Sequence, residues 1–183
     1  MSLSEFEVVY SGGCAGELYG KDLRSKLEKI EFDAFVEAYI VVEFNRLQSE
    51  YNAAKLDVLT KAAYVYRSSC FVEPIVDLLY LFLRKTDDDM FMYLAEIDSL
   101  FTVLGLLRNE ESIDVLNLYA KKELYWDDLF NINKSAIFAI EKIGGDKATC
   151  VIRDLIASCD NEVIRDAAVS SLYRIDAKNT NPP

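Results

Sequence analysis

Leu100-Phe101-x-Val103-Leu104-x-x-Leu107, Ala136-Ile137-x-Ala139-Ile140-x-x-Ile143 and Ala168-Val169-x-Ser171-Leu172-x-x-Ile175 are one pattern written three times, at offsets of 36 and then 32 residues. The spacing places all five apolar or small positions of each copy on one face of an α-helix. A shorter pattern precedes the last two copies, Val115-Leu116-x-x-Tyr119 and Val151-Ile152-x-x-Leu155, again 36 residues apart. A helix pair that returns at this interval predicts an all-α chain, a short α-solenoid in which each pair buries its apolar face against the next. Small residues such as Ala136, Ala139, Ala168 and Ser171 would let neighbouring helices approach. Larger ones such as Leu104, Ile140 and Leu172 would fill the gaps between pairs.

Outward from the repeat, helical spacing continues. Leu23, Leu27 and Ile30 form one set. Phe32, Phe35, Val36, Tyr39, Ile40, Phe44 and Leu47 form another, and Leu56, Leu59, Ala63, Val65 and Tyr66 a third. The breaks are short. Pro74 suits a first helical turn, Thr86-Asp87-Asp88-Asp89 supplies capping groups, and Gly144-Gly145-Asp146 suits a helix end followed by a new start. Asp160-Asn161-Glu162 reads as a tight turn. Only Phe6–Tyr10 could be a strand, without an obvious partner. Nine to ten helices are expected in one domain over residues 1–175, divergent over 1–70 and repeat-like over 71–175, with 176–183 a flexible tail.

The last pair resembles a HEAT repeat. Its first helix starts at Gly145-Asp146. Its second enters through Asn161-x-x-Ile164-Arg165, continues through Ala167-Ala168 and closes on Leu172-x-x-Ile175. Asn161 and Ile164 stand where that family more often has Asp and Val. The match is good over 145–175, moderate over 110–143 and weak over 71–108, and residues 1–70 share only helicity. The resemblance implies a right-handed stack with a concave face for partners, and no catalytic chemistry.

Charge is unevenly placed. The chain carries 31 acids and 20 bases, a net charge of −11. Residues 73–128 hold thirteen acids and five bases, so −8 of that total lies in this segment. A solvated face ordinarily mixes its signs. So lopsided a block repels itself, attracts a basic partner and turns nucleic acid away. Solubility and helix capping account for some of these acids. The candidate partner-binding residues are Asp87, Asp88, Asp89 and Glu96, then Glu110, Glu111 and Asp114, then Tyr125, Trp126, Asp127 and Asp128. In the last group two rings would supply desolvated contact and two carboxylates would meet Arg or Lys. The alternative is that Trp126 folds back on the preceding helix.

Catalytic chemistry finds little footing. There is no histidine to act as base, ligand or thiol activator. Cys14, Cys70, Cys150 and Cys159 are scattered, which fits reduced thiols, and Cys70 and Cys150 fall in apolar helical patterns as small hydrophobes. Asp87-Asp88-Asp89 lacks calcium-loop spacing. Ser11–Gly16 is Gly-rich but lacks the Lys of a phosphate loop and reads as a flexible joint. Glu110-Glu111 and Asp127-Asp128 are adjacent pairs, which do not face each other on a helix. No metal, cofactor or catalytic residue is expected. The first residues have no positive and no apolar region, so no secretory signal is expected, and the run Ile75–Leu83 is too short to span a membrane.

A small, acidic, histidine-free helical chain is similar in size, charge and fold to bacterial immunity proteins, including those of contact-dependent growth inhibition. That resemblance implies a cytoplasmic monomer that binds a basic nuclease toxin, with no nucleic-acid or membrane partner. The other readings are a HEAT-like scaffold, assembly or chaperone subunit for a non-nuclease protein, and an enzyme that works with carboxylates and tyrosine alone.

Overall fold

The structure is a computed structural model that describes residues 2–122 and 132–180, without the side chains of 87, 88 and 178–180. Every regular element among them is helical: α1 (Ser2–Cys14), α2 (Gly20–Leu27), α3 (Ala34–Leu47), α4 (Ala53–Tyr66), α5 (Val72–Leu83), α6 (Asp87–Phe91), α7 (Leu94–Leu107), α8 (Ile113–Lys121), α9 (Ile132–Ile143), α10 (Gly145–Ser158) and α11 (Glu162–Thr180). The all-α expectation holds, with eleven helices where nine to ten were expected. The chain divides into two compact units, Met1–Leu81 and Phe82–Pro183. The division falls inside α5 rather than at residues 70/71, where repeat-like spacing begins. No described helix is long and apolar enough to cross a membrane.

In the N-terminal unit α1 packs against α2, α3 and α4. Phe6–Tyr10 is helical, not a strand, because Phe6, Val9, Tyr10 and Gly13 share one buried face at i, i+3, i+4 and i+7. The Gly-rich stretch is not a joint either. Its first residues are the last turn of α1, and Gly13 lets α1 cross α4 closely, since a Cβ there would lie 2.6 Å from a Val58 methyl. Gly16 then turns left-handed at φ 77°, and Glu17 N–H returns to the Gly12 carbonyl at 2.9 Å. Asp33 caps α3 by accepting from the Phe35 and Val36 amides at 3.0 and 2.9 Å.

Glu43 is a buried acid on α3. The Tyr10 hydroxyl donates to it at 2.8 Å, Arg46 pairs with it, and Lys55 Nζ lies 3.6 Å away. One carboxylate thus links α1, α3 and α4. Burial, then the bond to Glu43, pushes the Tyr10 phenol far above its ordinary range. Aromatic rings fill the space around it. Tyr39 meets Phe6 and Tyr10 edge-on at 5.7 and 5.6 Å, and Phe32 stacks on Tyr66 at 4.5 Å.

The C-terminal unit is a stack. α9 packs on α7 on one side and on α11 on the other, while α8 and α10 pair with their successors and touch each other. So α7, α9 and α11 form one layer, and α8 and α10 form the second. Leu100, Leu104, Ala136, Ile137, Ile140 and Ala168 are buried as the repeat requires. Leu172 is only half-buried, because α11 packs chiefly on α9 and α10. Gly105 adds to the expected small residues: a Cβ there would lie 3.3 Å from the Ala139 backbone, so α7 and α9 meet closely.

Asn133 was not singled out by sequence. It is buried, and its side-chain amide donates to the carbonyls of Tyr119, Ala120 and Lys122 at 2.8, 3.2 and 2.7 Å. These carbonyls lie at the C-terminal end of α8, where the helix itself runs out of donors, and the Lys122 N–H also reaches that of Tyr119 at 3.3 Å. The Asp160–Glu162 turn is as expected, with Asn161 accepting from the Val163 and Ile164 amides. Two readings need correction. Cys70 and Cys150 are exposed, since Ala148, Ile152 and Leu155 form the inward face of α10 and leave residue 150 outside. The tail begins later than composition implies, because α11 continues to Thr180.

Candidate partner-binding surface

Glu110, Glu111 and Asp114 cluster where α7 turns into α8. Arg108 ends α7 in the left-handed conformation, and one 3-10 turn, Glu110–Ser112, leads into α8. Asn109 Oδ1 accepts from the Glu111 amide at 2.8 Å, and the buried Ser112 hydroxyl donates to the Asn109 carbonyl at 2.6 Å. With Ser112 and Ile113 buried beneath the turn, Glu110 and Glu111 project into solvent, and Asp114 follows on the exposed side of α8.

Lys147 on α10 crosses to this group. Its Nζ lies 2.9 Å from Asp114 Oδ1 and donates to the Glu110 carbonyl at 3.2 Å. Gly145 starts α10 at φ 81°, and a Cβ there would collide with the Glu110 carboxylate. The Glu110 carboxylate therefore packs against Gly145, at the end of α10 where a helix favours negative charge. Two of the three acids thus have work inside the fold. The Asp114–Lys147 pair is solvent-exposed, which holds its contribution to about 1 kcal/mol or less. Among the described residues the Glu111 carboxylate has no partner.

The remaining expected site residues are spread out. Thr86, rather than an Asp, caps α6: its hydroxyl accepts from the Asp89 amide at 3.2 Å and donates to the Asp89 carboxylate at 2.8 Å. Asp87 and Asp88 lie in the first turn of α6, and their side chains lie outside the described residues. Glu96 is half-buried in the first turn of α7, in the layer opposite α8. Tyr125, Trp126, Asp127 and Asp128 lie outside the described residues. The structure brings together Glu110, Glu111 and Asp114. Asp89 and Glu96 stand on other elements.

No protein-family model matches this sequence, and no curated protein or solved structure matches it.

A second surface lies on the α7–α9–α11 layer. Phe138 on α9 is 41% exposed and lines two cavities. One, of about 210 Å³, lies towards α7 and the other, of about 420 Å³, towards α11. Arg174 reaches from α11 to lay its guanidinium 5.2 Å from the ring centre, and its Nε donates to the buried Glu141 at 2.7 Å. Phe138 occupies an unassigned position between the apolar ones of its repeat, so an aromatic at an outward position was the available signal. Among the described residues no group of three or more Asp, Glu or Cys is placed to hold a metal ion. Burial pushes the Tyr119 phenol and the Cys14 thiol up, which keeps both protonated at neutral pH.

Proposed function

We propose that this chain is a non-catalytic module that binds a basic protein, in its sharpest form an immunity protein that occupies a nuclease toxin in the cytoplasm. The observation that carries the reading is the confinement of −8 of the −11 net charge to residues 73–128, with Glu110, Glu111 and Asp114 exposed together at the start of α8. A nuclease that holds a phosphate backbone presents clustered Lys and Arg, and an acidic surface on a rigid helix pair competes for them. Association should be fast at low salt and slow steeply as salt rises.

The stacked pairs of the C-terminal unit also suit a scaffold or assembly subunit, which would present the same layers to a non-nuclease protein. One experiment separates the two. The chain and its Glu110→Lys/Glu111→Lys/Asp114→Lys variant are immobilised, retained proteins are identified, and each is titrated against the chain one to one. The immunity reading requires a basic nuclease domain whose activity is blocked by the parent chain and restored with the variant. A neutral or acidic partner, retained equally by both, would replace it with the scaffold reading.

A further inference from the structure

The repeat that holds the C-terminal unit together runs out at α11. Val169 and Leu172 occupy the register positions of Phe101 and Leu104 in α7 and of Ile137 and Ile140 in α9. Those four are buried, whereas Val169 and Leu172 are only half-buried. The first helices change in the same way: Val115 of α8 is buried, and its counterpart in α10, Val151, is half-buried. The side of α11 towards α9 is occupied. Asp166, Ser170 and Arg174 line a cavity with Lys134 and Phe138 of α9, and Arg174 lies over that ring. At about 100° per residue, Val169 and Leu172 fall on the opposite flank of the buried stripe. What they lack is the next helix of the stack.

This flank carries more than two apolar residues. Arg165, Val169, Leu172 and Asp176 follow one another at steps of four, three and four, the heptad spacing of a helix-packing seam. Tyr173, 73% exposed, lies one turn on from Val169. Arg165 and Asp176 are exposed at the two ends. The seam complements itself. Laid antiparallel on a copy of itself, about a twofold axis between residues 170 and 171, it sets Val169 against Leu172 of the second copy and Arg165 against its Asp176, each contact made twice. Laid parallel, the same seam opposes Arg165 to Arg165 and Asp176 to Asp176. Charge therefore selects the antiparallel arrangement.

We propose that this open end of the stack is a self-association surface: two copies of the chain dock α11 against α11, antiparallel, with Val169 and Leu172 at the centre, Tyr173 beside them and an Arg165–Asp176 pair at each end. The occupant is a second copy because both the apolar and the charged positions of the seam match their own antiparallel image. A contact built on one helix is small beside those of obligate dimers, so the dimer forms and dissociates with concentration. It stands in place of the monomer that the resemblance to immunity proteins implies. Glu110, Glu111 and Asp114 take no part in it, so the basic-partner reading stands or falls separately.

The test is analytical ultracentrifugation of the full chain, at low salt, from micromolar to several hundred micromolar. A monomer–dimer equilibrium is expected. Arg165→Glu and Asp176→Arg, both at exposed positions, should each weaken dimerisation about tenfold, because each turns two attractive exposed pairs into repulsive ones. Thermal melts of both should match the parent's. The combined variant Arg165→Glu/Asp176→Arg rebuilds both pairs with their signs exchanged and should restore dimerisation to within about twofold of the parent. A role inside one chain would give no such rescue, since residues 165 and 176 lie about three turns apart on their own helix. A chain that stays monomeric throughout, single variants that dimerise like the parent, or a combined variant no better than either single one would each overturn the proposal. The first of these outcomes would leave the open end to a different protein.

Discussion

α4 and α7 end alike. Each is closed by an arginine in the left-handed conformation, Arg67 at φ 54° and Arg108 at φ 52°, then by a capping Ser68 or Asn109 and a single 3-10 turn into the next helix. The helices before the two turns match as well. Leu59, Thr60, Ala62 and Ala63 are buried and Tyr66 half-buried, the same order as Leu100, Phe101, Val103, Leu104 and Leu107, displaced by 41 residues. What surrounds the turns differs. In the C-terminal unit the neighbours of α7 are further copies of the same pair. In the N-terminal unit the neighbours of α4 are α1, α2 and α3, joined by aromatic rings and the buried Glu43. One local design is therefore supported in two ways, by repetition in one unit and by a polar and aromatic cluster in the other.

The hardest blow to the repetitive side is Ile140→Asp. Ile140 is fully buried in α9, the helix that packs on both sides of its layer, and an unpaired carboxylate there has no donor. A loss of more than about 4 kcal/mol is expected, seen as a collapse of the thermal unfolding transition. A melting temperature equal to the parent's would break the repeat assignment.

Next come the two polar keystones, one per unit. Asn133→Ala removes a donor that three carbonyls at the end of α8 share, and Glu43→Ala removes the acceptor of the Tyr10 hydroxyl. Each should cost about 2 kcal/mol in urea unfolding, the scale of a buried polar group left unpaired. Comparable losses would show that both units rest on such groups. A negligible loss for Asn133→Ala alone would mean that repetition suffices in the C-terminal unit.

Gly13→Ala and Gly105→Ala should separate in sign. At Gly13 the new methyl meets Val58 at 2.6 Å, a branched side chain with little freedom, and a loss of about 1–3 kcal/mol is expected. At Gly105 the nearest atoms are 3.3 Å away, and the gain in helix propensity, about 1 kcal/mol, offsets the crowding. Thermal melts of both variants decide it, and equal losses would show that the α7–α9 crossing is as tight as that of α1 on α4.

The smallest effect is pH-dependent. The Ser2 hydroxyl, then the Val36 and Phe35 amides, hold the Asp33 carboxyl below its ordinary value. Because the folded value is the lower one, Asp33 contributes stability above its unfolded value, about pH 4, and loses it as pH falls through the folded value. Asp33→Asn should flatten a small part of the acid limb of the urea midpoint between neutral pH and about pH 3. An unchanged limb would show that the α3 cap does not titrate with folding.

Much of the C-terminal unit was legible because a repeat meets the same neighbours in every copy, so a single helix face records its contacts several times. Leu100, Ala136 and Ala168 could be placed without knowing the rest of the molecule. In the N-terminal unit each contact occurs once. Nothing near Glu43 in sequence announces Tyr10, 33 residues away, as its donor, and a Gly-rich run that reads as a joint becomes a helix end when Val58 packs against it.

The candidate surfaces divide in the same way. Composition alone located the acidic excess, because charge density is a local property, but not the turn that carries Glu110 and Glu111. Only the tertiary structure assigned Glu110 and Asp114 to α10 and Lys147. It alone set Asp98 and Asp166, 68 residues apart in the chain, in two cavities that Phe138 lines. That juxtaposition depends on which helices stack side by side, and stacking order is a consequence of packing that no single helix face records.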